Sequence, residues 1–292
     1  MHPLYTMPMS HFSRKELLRV SRPRFWIYLF GPYLLGLTAA PTHRGDISLL
    51  FAAILFFYFL FPANLLLYGV NDAYDYETDK LNPKKQGYEG LITPEKKWPL
   101  LKIIALVTLP FLLLVFILPL QASLLLELFL LLSVSYSVPP LRLKTRPVID
   151  AISNGLYLVP GLISYSLLTS SLPPLRIIIA AWLWCMAMHA YSAAPDMIAD
   201  IRSKTPTIAT VFGKHLTLLF CLMCYASSTI LLFPFAPFTA VILGVVYVAM
   251  MVISLKQKNS TDLLPIYRFF PLINTACGFI LYLTLIAHKL VR

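Results

Sequence analysis

Long apolar runs recur from one end of this sequence to the other, and they constrain its fold more than any other feature. Residues 48–68, 100–120 and 237–255 reach the roughly 20 residues that a helix needs to cross a bilayer. Only 13% of the residues are charged, whereas soluble domains carry roughly 25%. We therefore predict one integral membrane domain built from α-helices.

The breaks between these runs predict about nine spans in an all-α, polytopic helical bundle. Residues 1–23 are expected to form an N-terminal segment, and residues 24–292 a single transmembrane domain. The spans are predicted at residues 24–40, 48–71, 100–117, 121–138, 148–170, 175–198, 214–232, 237–255 and 268–288.

Basic residues are distributed unequally between the two sides of this topology. With nine spans, 20 of the 24 Lys and Arg residues fall on the side of the N-terminus, and an excess of Lys and Arg marks the cytoplasmic side. The N-terminus is thus predicted to be cytoplasmic, in a bacterial inner membrane. The net charge of +11 is then explained by the lipid bilayer as partner, and no nucleic acid is expected.

The 13 acidic residues are scarce, and several of them cluster at the ends of two predicted spans. Asn71, Asp72, Asp75 and Asp79 end the second span, and i, i+3, i+7 spacing places the three aspartates on one face of a helix. Asp196 and Asp200 end the sixth span with i, i+4 spacing, and His189 lies seven residues before Asp196 on the same face.

Carboxylates close to a membrane are costly, and like charges on one helix face repel. The simplest interpretation is that they are solvated helix ends paired with the lysines that follow. Two clusters on the same side favour a bound cation instead. Mg²⁺ suits carboxylate oxygens and completes its shell with substrate phosphates, so we predict a metal–diphosphate site facing the cytoplasm.

Basic residues beside the clusters are candidates for clamping diphosphate. Lys80 follows the first cluster, Arg202 follows the second, and Lys144 lies in a short loop after Pro139 and Pro140. The excess of positive charge on the cytoplasmic side explains each of them equally well.

At these residues the sequence resembles the UbiA superfamily of intramembrane prenyltransferases. Asn71, Asp72, Asp75 and Asp79 match its NDxxDxxxD motif, and Asp196 and Asp200 match its DxxxD motif. Residues 207–213 also look like the segment that opens the next helix in this family. Residues 21–28, 136–144 and 189–196 are similar to the lycopene elongase branch, whose members attach a C5 unit to a carotenoid.

The resemblance implies Mg²⁺ held by Asp72, Asp75, Asp79, Asp196 and Asp200. Asn71 would orient the site, and Lys80, Lys144 and Arg202 would clamp the phosphates. The substrates would be an allylic prenyl diphosphate donor and a lipophilic acceptor, such as a carotenoid. His189 stands where aromatic-acceptor members often carry Asp, and it is either the base that removes the last proton or a residue of helix packing.

Two alternatives stay open. The acceptor could be aromatic or a quinone precursor, or the chain could be a cation-coupled transporter with acids inside its helices. Transporters usually place their sites near the midplane on broken helices. Acids at cytoplasmic helix ends beside lysines argue against transport.

Overall fold

The computed structural model describes residues 12–41, 46–80 and 90–291 of the chain, and every regular element in those ranges is a helix. The α-helices, in chain order, are α1 Arg14–Val20, α2 Ile27–Ala39, α3 Asp46–Leu60, α4 Pro62–Tyr74, α5 Tyr76–Asp79, α6 Pro94–Leu112, α7 Leu120–Ser135, α8 Ile149–Ile152, α9 Val159–Thr169, α10 Leu175–Arg202, α11 Ile208–Leu232, α12 Pro237–Leu255, α13 Leu264–Tyr267 and α14 Phe270–Val291. The prediction of an all-α membrane fold is confirmed.

Six helical segments among the described residues are long and apolar enough to cross a membrane, and the bent pair Ile149–Tyr157 and Val159–Thr169 would make a seventh. The shorter apolar helices α2 and α7 occupy the first and fourth predicted spans. Each predicted span therefore lies on helix, while the count of nine and the cytoplasmic N-terminus stay predictions.

Two breaks between helices bear on the predicted spans, one within the second span and one between the third and fourth. Pro62 begins α4 with one residue between it and the end of α3, and a proline is favoured in the first turn of a helix because the N–H that it lacks would have no partner within the helix there. The break between the third and fourth spans lies at Ile117–Pro119, between a 3₁₀ turn and α7, close to its predicted position.

The described helices pack around three cores. One joins α2, α3, α4, α7 and α9, a second is formed largely by α10, α11, α12 and α14, and a third lies where α6 packs against α1 and α4. The crossing of α2 and α9 is close, because Gly36 and Gly161 have no side chains there and the Ser164 hydroxyl donates to the Tyr33 carbonyl oxygen at 2.7 Å. Residues of the first two cores line one partly open cavity.

Candidate functional site

This partly open cavity has a volume of about 190 Å³. Its wall combines aromatic rings with a few polar groups, as is usual for ligand pockets. The lining residues are Arg22, Phe25, Tyr28, Leu67, Tyr68, Asn71, Tyr136, Asn154, Leu156, Tyr157, Met188, His189, Ser192, Tyr267 and Phe270.

The first aspartate cluster begins where the cavity ends. Tyr68 and Asn71 line the cavity from α4, and Asp72 is the next residue along the same helix. Its side chain is almost completely buried, and the Arg22 guanidinium donates to Asp72 Oδ1 at 2.7 Å. Arg22 also lines the cavity and lies 4.9 Å from the centre of the Tyr68 ring. The cavity and the cluster therefore share one cationic side chain.

The helix does not continue through the motif as the spacing predicts. α4 ends at Tyr74, Asp75 has non-helical backbone angles (φ −113°, ψ 12°), and α5 begins at Tyr76. A continuous helix would place three like charges on one face, where they would repel. The break separates the aspartates along two helices, while Asp72, Asp75 and Asp79 all remain buried.

Two cations from the loop after α7 neutralise Asp75. Lys144 forms a close ion pair with Asp75 Oδ2, and Arg142 lies 3.3 Å from Oδ1. Burial lowers the pKa of Lys144, while Asp75 opposes that shift by favouring the charged ammonium. Arg142 has a left-handed backbone (φ 39°), a strained conformation that tends to occur at functional sites. The loop thus delivers fixed positive charge to the first motif.

The second cluster lies on the helix that forms the opposite wall. His189 and Ser192 line the cavity from α10, and Asp196 follows them at i+7 and i+4, on the same face. Asp196 and Asp200 are partly exposed. The hydroxyl of Thr78, within the first motif, lies 3.5 Å from that of Thr205, which follows the second motif. The two motifs therefore approach each other beside the same cavity.

The other two predicted clamps lie on the surface. Lys80 is exposed and forms an ion pair with Glu77, and Arg202 is exposed in the last turn of α10. Of the three, only Lys144 is buried against a motif aspartate.

The sequence did not predict the roles that four residues have in the site: Arg22, Arg142, Asp150 and Tyr157. Arg22 and Arg142 belong to basic segments in which local spacing does not distinguish one cation from the next. Asp150 carried a usable signal, because an isolated acid at the edge of an apolar span is a functional candidate by default. Its side chain is fully buried and lies beside His189.

The aspartates of the two motifs offer carboxylate oxygens as ligands. Hard divalent cations such as Mg²⁺ prefer oxygen ligands of this kind. Within the described residues, no three His, Cys, Asp or Glu side chains are close enough to form a ligand set by themselves. Mg²⁺ does not need such a set, since it binds through one or two carboxylates together with waters and substrate phosphates. The motif aspartates are suited to that mode of binding.

Sequence comparison places the chain in a family. The model of the UbiA prenyltransferase family matches residues 29–281. The lycopene elongase/hydratase of Haloarcula japonica is 39% identical over 271 residues, covering 93% of this chain and 90% of the relative. The protein of the same name from Corynebacterium glutamicum is 34% identical over 255 residues, covering 84% and 86% of the two chains.

Solved structures share the fold. A UbiA homologue from Archaeoglobus fulgidus bound to GPP and Mg²⁺ superposes with a TM-score of 0.65 at 19% identity, covering 91% of this chain and 99% of that one. The resemblance inferred from the two aspartate motifs is thereby confirmed. This chain belongs to the UbiA prenyltransferase family, and it is an integral membrane prenyltransferase.

Proposed function

We propose that this protein transfers a C5 prenyl unit from an allylic diphosphate to the end of a carotenoid such as lycopene, at the cytoplasmic face of the cell membrane. The single observation that carries the carotenoid acceptor is the 39% identity to the lycopene elongase/hydratase of Haloarcula japonica across 93% of this chain. The cavity and its charged end support the proposal on physical grounds.

The size of the cavity suits a short prenyl group. Pockets that enclose drug-sized ligands have volumes of about 300–1,000 Å³, and this cavity has about 190 Å³. A C5 unit and one end of an acceptor are compatible with such a space, whereas a whole carotenoid is not. The rest of the acceptor would extend towards the apolar phase of the bilayer.

Asp72, Asp75, Asp79, Asp196 and Asp200 would hold Mg²⁺, and Asn71 would orient the site. When bound, Mg²⁺ would neutralise charge on the diphosphate. Lys144 is buried beside Asp75 and can donate to phosphate oxygens as the leaving group gains charge. Arg202 and Lys80 would add charge at the entrance.

The aromatic wall suits the cation that forms. Heterolysis of the allylic C–O bond leaves its electron pair on the diphosphate and a positive charge on the prenyl unit. Tyr28, Tyr68, Tyr136 and Tyr157 line the cavity, and aromatic faces attract cations. Attack by a double bond of the acceptor forms the new C–C bond and moves the charge to a tertiary carbon. His189 lies in the same wall and would accept the proton that is then lost.

The test is the pigment profile of a lycopene-accumulating bacterial host that expresses this chain, measured by liquid chromatography and mass spectrometry. We expect carotenoids heavier by one or two C5 units, and we expect Asp72→Ala to abolish them. Glu77→Gln is the matched control, because Glu77 lies within the same motif segment with a highly exposed side chain. An unchanged profile from well-expressed protein would exclude the carotenoid acceptor and would direct the search to aromatic acceptors.

A further inference from the structure

Asp150 is a fully buried carboxylate that the two family motifs do not include. It lies in the first turn of α8, where Oδ1 accepts from its neighbour Ala151 N at 2.9 Å. Oδ2 accepts from Ile208 N at 2.8 Å, at the N-terminus of α11. These backbone donors and the positive end of the α11 dipole stabilise a carboxylate that would otherwise be costly to bury.

The same carboxylate lies against His189. Asp150 Oδ2 is 3.3 Å from His189 Nε2, although the two are not aligned as in a regular hydrogen bond. The other ring nitrogen, Nδ1, lies 3.4 Å from the Tyr136 hydroxyl, and both His189 and Tyr136 line the cavity. A carboxylate beside Nε2 favours the tautomer with its hydrogen on Nε2. Nδ1 is then the proton acceptor on the cavity side.

We propose that Asp150 is a positioning residue that orients His189 as the terminal base and so sets how often the carbocation loses a proton rather than adding water. This inference rests on the proposed prenyl-transfer chemistry. In the step itself, a C–H bond next to the cationic carbon breaks and its electron pair forms the C=C bond. The proton passes to the pair formed by His189 Nδ1 and the Tyr136 hydroxyl, and Asp150 stabilises the imidazolium.

A purely structural role makes a different prediction. If Asp150 served only to cap α11, any loss of that cap would have the same consequences. Thr207 offers the matched control, because its hydroxyl accepts from Thr210 N at the same helix end. Thr207→Ala removes a cap, which costs about 1 kcal/mol, and leaves Asp150 and His189 in place.

The experiment supplies dimethylallyl diphosphate, Mg²⁺ and lycopene to membranes that contain the full-length protein, because the proton is lost from the cation formed on the acceptor. Liquid chromatography and mass spectrometry then measure the elongated carotenoid that has lost a proton against the one that has added water. We expect Asp150→Asn to lower this ratio of alkene to alcohol by about tenfold or more, since general bases contribute about 10²–10⁴ in rate. His189→Gln should do the same, the double variant should show little further loss because the two residues act as a unit, and Thr207→Ala should keep the wild-type ratio.

A wild-type ratio in Asp150→Asn, or an equal fall in Thr207→Ala, would overturn the proposal. His189→Gln leaves the Ile208 contact intact, so a wild-type ratio in that variant would overturn it even if Asp150→Asn did not accumulate. The ratio is measured among elongated carotenoids only. Failure of the proposed function, which leaves no elongated carotenoid, is therefore distinguishable from failure of this inference, which leaves their ratio unchanged.

Discussion

Arg22 donates to Asp72 across 2.7 Å and so joins the turn before α2 to the first aspartate of the motif, 50 residues away. Arg22 adopts a left-handed backbone (φ 53°), which is uncommon for a residue with a side chain and is strained. The side chain is mostly buried and packs over the Tyr68 ring. The strain is offset by an ion pair at the charged end of the cavity.

Arg22→Ala should weaken donor binding by about 10–100-fold, because a hydrogen bond to a charged group contributes about 1.5–3 kcal/mol. Arg22→Lys should recover part of the loss. The measurement is the dependence of the initial rate on donor concentration. Arg24→Ala is the control, since Arg24 is exposed in the same turn, and an equal loss in that variant would contradict the specific role of Arg22.

Lys144 and Arg202 should contribute unequally to diphosphate binding. Lys144 is buried against Asp75 and Arg202 is exposed, and exposed ion pairs contribute only about 0–1 kcal/mol. We expect Lys144→Ala to raise the KM for donor by about 100-fold, as for a buried charge-assisted contact, and Arg202→Ala by less than about fivefold. The dependence of the initial rate on donor concentration gives the KM of each variant. Equal effects would mean that burial does not decide which cation binds phosphate.

The ion pair between Glu16 and Lys96 should depend on pH. Lys96 Nζ lies 2.7 Å from Glu16 Oε1, and its hydrogen bond, with those from Ser13, lowers the pKa of Glu16 from 4.5 to about 2. The folded state therefore has the lower pKa, so the stabilisation is complete above pH 4.5 and is lost as the pH falls towards 2.

Because both side chains are partly exposed, the pair should contribute no more than about 1 kcal/mol. A double-mutant cycle with Glu16→Gln and Lys96→Met measures this coupling through thermal unfolding in detergent. The coupling should be present at pH 7 and should disappear near pH 2. A coupling that did not change with pH would refute the electrostatic origin of the contact.

Gly36 should tolerate no side chain. A Cβ atom at this position would overlap the carbonyl oxygen of Gly161 and the hydroxyl of Ser164, whereas a Cβ on Gly278 would meet no atom within 4 Å. Gly36→Ala should cost about 1–3 kcal/mol through overpacking, and Gly278→Ala less than about 0.5 kcal/mol. Thermal unfolding followed by size-exclusion chromatography compares the two. Equal stability would mean that α2 and α9 can separate without penalty.

Much of the architecture followed from local patterns. Apolar runs located the helices, and the break before α7 lay close to the predicted gap between the third and fourth spans. Thr207 caps α11 at the position where the family segment was expected to open a helix. The break in the helix at Asp75 was not predicted. The spacing of the aspartates was interpreted as one continuous helix, because neither Gly nor Pro interrupts the motif.

The sequence by itself determined that this chain is a helical membrane protein with aspartates grouped beside basic loops. Those properties arise from the transfer free energy of successive residues and from spacing within single helices. Only the tertiary structure decided which cation meets which carboxylate. Arg22 reaches Asp72, Lys144 reaches Asp75, and Asp150 reaches both His189 and the start of α11. Such pairs join residues far apart in the chain, so they depend on how helices cross, which no local pattern encodes.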